Sequence, residues 1–136
     1  PFLNFIFKTA KAIPIASASE DKELMEAAFD KVDAELAAGN IVCIFPEGSL
    51  TRDGEVQRFR LGIEKIIARR PVLVIPVALG RMWGSWFSRR TGGGLRKLPG
   101  RLFARVPVMF GESVPPAEVT AERLELLVRT LRGDLR

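Results

Sequence analysis

Two uninterrupted apolar runs, Ile41 to Phe45 and Val72 to Leu79, constrain this chain more than any other feature. A strand with one wet face alternates apolar and polar residues. A run without alternation predicts a strand covered on both faces, as in a parallel sheet lying between helices. Each run follows a segment of helical periodicity. Leu24, Ala28, Val32 and Leu36 recur every fourth residue, and Met25 and Phe29 widen the stripe. Ser17 and Ser19, ahead of Glu20 and Asp21, are N-cap candidates, and Gly39-Asn40 supplies C-cap chemistry. Ile63, Ile66 and Ile67 predict a second, shorter helix within Leu61 to Arg70, ended by Pro71.

The order helix, strand, loop, helix, strand predicts an α/β fold, with a mostly parallel sheet flanked by helices. Pro76 inside the second run requires an edge position, a bulge or an early strand end, because proline donates nothing to a ladder. Leu102 to Phe110 reads as a third strand. Val119 to Leu131, with Leu124, Leu127, Val128 and Leu131 on one side, reads as a closing helix. Residues 81–100 form a Gly- and Arg-rich connection, and the expectation is one domain over residues 1–136. Cys43, within the first run, reads as a small buried core residue. The chain opens on Pro1 rather than methionine, which suggests a piece of something longer. No stretch is long and apolar enough to span a bilayer as a helix.

Several chemistries are excluded by residue types. The sequence has no histidine and one cysteine, so a zinc site cannot be assembled from it. Neither GxGxxG nor GxxxxGK[ST] occurs, and Gly92-Gly93-Gly94 has no helix after it. The formal charge of +5 and a pI near 10.0 favour anionic partners. Much of that charge sits between Arg81 and Gly111, where seven basic residues occur without one acid. Trp83, Trp86 and Phe87 are interleaved there with Arg89 and Arg90. Indoles beside arginines suit a bilayer headgroup region, so these five residues are candidate membrane contacts. The alternative is that the two tryptophans pack into the core beneath a solvated basic loop. A nucleic-acid role ranks below both, since no nucleic-acid motif is present.

The most informative loop is Phe45-Pro46-Glu47-Gly48-Ser49-Leu50-Thr51-Arg52, directly after the first run. Ligands of open α/β sheets bind at the carboxyl ends of strands. Pro46 and Gly48 permit a tight reversal, and Gly48 allows close approach of backbone to a ligand. The Gly48 and Ser49 amides, the Ser49 or Thr51 hydroxyl and Arg52 are candidates to bind an anion. Glu47 would accept from hydroxyls or organise a nearby arginine; like charge excludes it from holding a phosphate. Arg58 and Arg60 are candidate phosphate contacts, with solvated surface charge as the alternative. On physical grounds alone, a capped polar turn remains an equal reading of this loop.

Phe45-Pro46-Glu47-Gly48-Ser49 resembles the FPEG[ST] block of the glycerol-3-phosphate and lysophospholipid acyltransferases. Ile75-Pro76-Val77 resembles a later block of that family, and Ala12-Ile13-Pro14-Ile15 sits where another is placed. The run from Phe45 to Gly62 looks like bacterial members fused to a membrane transporter region, which act on lysophosphatidylethanolamine or related lysolipids. The resemblance implies acyl transfer from a thioester of coenzyme A or acyl carrier protein to the hydroxyl of a lysophospholipid. It implies no bound cofactor, an anionic membrane surface as partner and a place on the cytoplasmic face of the inner membrane. The family's general base is the histidine of a His-x4-Asp pair. Without histidine, the chain is expected to be an N-terminally truncated, C-terminal part of such a domain, inactive alone. A non-catalytic anionic-lipid-binding module on the same fold is the alternative. Leu50 stands where the family often has arginine, and Ala12 to Ala16 lacks another. Both departures favour an acceptor with a diester head group over a phosphate monoester.

Overall fold

A computed structural model of the chain describes residues 13, 22–49, 54–80 and 106–133. The chain divides into two compact units, Pro1–Cys43 and Ile44–Arg136.

In the first unit, helix α1 spans Lys22–Ala37 and buries Ala28, Phe29 and Val32. These are the centre of the predicted stripe; Leu24, at its start, is 38% exposed. The helix ends as Gly39-Asn40 predicts. Gly39 adopts φ +79, its N–H donates to Leu36 O (3.1 Å), and the Asn40 N–H reaches back to Glu35 O (3.0 Å). This is the paired bonding of a Schellman motif, which satisfies carbonyls that the helix end would leave open. The Asn40 side chain also donates to the Glu35 carboxylate at 2.7 Å.

The second unit contains α2 (Gly62–Arg69), β1 (Val77–Leu79), β2 (Val108–Phe110), a 3-10 turn (Pro116–Glu118) and α3 (Ala121–Gly133). Ile63 and Ile67 of α2 and Leu124 of α3 join Val56, Phe59, Val114, Val119 and Ala121 in one buried apolar cluster, with Ile44, Val72 and Val74 packed against it. Arg70 is extended (φ −139°, ψ 101°), as a residue before proline is pushed to be, and α2 stops there.

Strands β1 and β2 pair antiparallel, with Val77 opposite Phe110, Ala78 opposite Met109 and Leu79 opposite Val108. Pro76 explains why β1 is short. The Pro76 carbonyl accepts from the Gly111 N–H at 2.9 Å, but its nitrogen has nothing to donate. Beyond the interruption the pairing resumes as a single bridge between Val74 and Val114. Two antiparallel strands neither require nor exclude parallel neighbours, since mixed sheets often carry an antiparallel edge. Within Leu102 to Phe110 the structure describes residues 106–110. The closing helix starts later than Val119. Thr120 is its cap, its hydroxyl accepting from the Arg123 N–H at 3.1 Å.

The apolar runs depart from the expectation of burial on both faces. Residues 41–45 form no strand among the described residues, and Ile41 (98%) and Phe45 (73%) are exposed. Cys43 is exposed too, not a buried core residue. In the second run Leu73 and Ile75 are exposed, while Val72 and Val74 face the cluster. The described helices of the second unit cover one side of this backbone, so burial alternates where the composition does not.

Candidate functional site

The loop after residue 45 folds as its prolines and glycines require. The Gly48 N–H donates to Phe45 O at 3.1 Å, closing a β-turn with Pro46 second and Gly48 fourth, positions that each residue favours in the commonest turn type. Gly48 has φ +67, in the left-handed region where a side chain is strained. Pro46 and Glu47 are half-buried; Gly48 and Ser49 are exposed. Thr51 and Arg52, two of the candidate contacts, lie outside the described residues.

Residues 54–60 return alongside this turn. The Arg60 N–H donates to Pro46 O at 2.9 Å. One Glu47 carboxylate oxygen, Oε2, accepts from the Gln57 N–H at 2.6 Å. The Arg60 side chain then lies across Gly48: a Cβ at that glycine would stand 2.7 Å from Arg60 Nε, 3.0 Å from Cδ and 3.1 Å from Cζ. Glycine is therefore favoured here by its φ, and any side chain in its place would displace the guanidinium packed on it. Of the sequence candidates, the structure brings Pro46, Glu47, Gly48 and Arg60 together.

Arg58 belongs to a different neighbourhood. It is exposed, and its charge is one of the influences that hold the Glu125 carboxyl below the usual carboxylate range. The largest influence is the hydrogen bond from the Phe59 N–H to Glu125 Oε2, at 3.0 Å; burial opposes it, and Arg129, bonded to Glu125 Oε1 at 2.9 Å, reinforces it. Glu125 thereby fastens the site loop to α3. Arg132 does so at the other end, donating to Gly54 O and standing 3.4 Å from Glu55. Gly54, at φ +86, is the buried half of the predicted Asp53-Gly54 turn. Helix α2 is tied to α3 by Glu64, whose carboxylate accepts from the Ala121 N–H at 2.8 Å. An acid at that helix N-terminus also opposes the helix dipole favourably.

Sequence reasoning missed Gln57, Glu125 and Arg132 as parts of this assembly. Glu125 and Arg129 have the spacing of a helical ion pair, but nothing in the sequence points from either to Phe59. A pocket of about 300 Å³, bounded by residues including Pro76, Gly111, Arg123 and Leu131, and one of about 150 Å³ beside Glu55 and Arg132 lie away from the Pro46–Ser49 turn. Among the described residues no His, Cys, Asp or Glu cluster is placed to hold a metal ion, and no helix is long and apolar enough to cross a membrane. Trp83, Trp86, Phe87, Arg89 and Arg90, the candidate membrane contacts, lie outside the described residues.

No curated protein and no solved structure matches the chain. The model of the family described as Acyltransferase matches residues 1–80, more than half of the 136. The chain belongs to the acyltransferase family. The match ends before α3, so Glu125 and Arg132, which brace the loop, lie beyond the matched segment.

Proposed function

Starting from membership of the acyltransferase family, we propose that the chain is part of a phospholipid acyltransferase domain. It takes a fatty acyl group from acyl-CoA or an acyl carrier protein and places it on a lysophospholipid. In that reaction the acceptor hydroxyl oxygen forms a bond to the thioester carbonyl carbon, the carbon–sulfur bond breaks, and the thiol leaves with a proton. The 136 residues contain no histidine, so the part proposed for them is to hold and orient the acceptor. Orientation of this kind can supply a large share of a rate enhancement.

The observation that carries the reading is the Arg60 guanidinium laid across Gly48 in the turn that follows the first apolar run. An arginine there offers a planar set of donors to a phosphate of the head group. Gly48 and Ser49 are exposed beside it, although the Gly48 N–H, expected to bind an anion, is taken by Phe45 O. Glu47 and Gly48 belong to the wall of the proposed acceptor site, with Ser49, Thr51 and Arg52 as its polar contacts. The sheet is proposed to be mostly parallel in the complete domain, with β2 as an antiparallel neighbour of β1. Trp83, Trp86, Phe87, Arg89 and Arg90 are proposed to meet the anionic cytoplasmic face of the inner membrane, where a lysolipid is presented.

The test is acyl transfer from a long-chain acyl-CoA to a panel of lysophospholipids, using the full-length protein, its Arg60→Ala variant and the 136-residue chain alone. Transfer by the full-length protein, at least tenfold weaker with Arg60→Ala (roughly one lost charged hydrogen bond), supports the reading, and a diester head group should be preferred. A preference for lysophosphatidate removes the diester assignment. No transfer to any acceptor from a folded full-length protein leaves the non-catalytic lipid-binding module.

A further inference from the structure

The Glu47 carboxylate is engaged within the protein: Oε2 accepts from the Gln57 N–H at 2.6 Å. That bond spans ten residues and joins the turn at 46–49 to the returning segment 54–60. A second bond, from the Arg60 N–H to Pro46 O at 2.9 Å, closes the same junction three residues later. Between these two fastenings the chain has little freedom, and the Arg60 side chain emerges over Gly48. Direct contact between the Glu47 carboxylate and a phosphate would be repulsive, so proximity to an anion site needs another explanation.

We infer that Glu47 is a positioning residue: by gripping the Gln57 peptide N–H it sets the Arg60 guanidinium on Gly48, facing the phosphate group of the acceptor. The inference rests on the acceptor-binding reading above, and it divides the work differently from a glutamate that touches substrate. What the position requires is an acceptor oxygen at Oε2, not a negative charge. Glutamine keeps that oxygen and alanine does not. Gly48 enters as the floor. Alanine there would put a methyl 2.7 Å from Arg60 Nε and push the guanidinium away while leaving Glu47 and Gln57 bonded.

The experiment is an NMR titration of the ¹⁵N-labelled 136-residue chain with glycerophosphoethanolamine, the soluble diester head group, following Arg60 Nε and the Gly48 amide. Both resonances should move in the parent protein, and Glu47→Gln should bind within about twofold of it. Glu47→Ala, Gly48→Ala and Arg60→Ala should each weaken binding by about tenfold or more, and Glu47→Ala combined with Arg60→Ala should be no worse than Arg60→Ala alone, because both act through one contact. Unchanged amide spectra for α2 and α3 certify the fold; if Glu47→Ala fails that check, Gly48→Ala and Glu47→Gln decide. Equal losses for Glu47→Gln and Glu47→Ala overturn the inference, as do additive losses in the double variant, parent-like binding by Gly48→Ala, or an Arg60 Nε that never shifts. Head-group binding by the chain with no acyl transfer by the full-length protein removes the enzyme reading and leaves the positioning role; transfer by the full-length protein without binding at Arg60 does the reverse.

Discussion

The site loop and the outer side of the β1–β2 pair solve opposite problems with opposite materials. Residues 54–60 form no ladder, and their backbone groups are tied individually: Gln57 to Glu47, Phe59 to Glu125, Arg60 to Pro46 and Gly54 to Arg132. In β1 and β2 the ladder ties one edge of each strand to the other, yet Val77, Val108 and Phe110, and Leu73 and Ile75 just before β1, are left exposed. Irregular backbone can thus be firmly held when carboxylates reach it from other elements. Regular backbone, conversely, can be paired in a ladder and still lack packing on one face.

The comparison breaks most visibly at Phe59, which is buried in the apolar cluster while its amide is bonded to Glu125. Phe59→Ala should cost about 3–5 kcal/mol in chemical denaturation; a loss below about 1 kcal/mol would mean the loop is not anchored by that cluster. Next is the polar tie itself. Glu125→Ala leaves the Phe59 N–H without its acceptor and should cost about 1–2 kcal/mol. Because the native Glu125 pKa is depressed, its contribution is complete above the ordinary carboxylate range and is lost as pH falls through the lowered value. The melting-temperature gap between the parent and Glu125→Gln should therefore narrow from pH 7 to about pH 3; a constant gap would assign it to packing.

Gly48→Ala should lose about 1–2 kcal/mol for its positive φ, a cost that thermal unfolding would detect, because the Arg60 side chain can swing aside. On the strand side, Ile75→Thr should change stability by no more than about 0.5 kcal/mol, since Ile75 is 56% exposed. A loss above about 1.5 kcal/mol there would show that something covers this face and would erase the contrast.

The helices were legible because periodicity is local. Ile63 and Ile67 are buried, and Gly39-Asn40 caps α1, as their spacing and chemistry require. The turn at Pro46–Gly48 was legible for the same reason. Strand burial was not, because whether Ile41 or Leu73 is covered depends on what lies opposite, and composition does not encode that. The ties made by Glu47, Glu64 and Glu125 were equally hidden: they span 10, 57 and 66 residues, and an acid that will accept a distant amide looks like any other surface acid.

The brace from α3 has a consequence for when the loop becomes fully held. On the ribosome the turn at 46–48 and α2 emerge well before Glu125, and the tie to Phe59 cannot form until 66 further residues have been added. At ordinary translation speeds that is a delay of roughly 3–13 s. Throughout it, the segment carrying Arg60 lacks two of its fastenings, and a later-made helix completes the bracing of a loop whose recognisable residues had appeared before it.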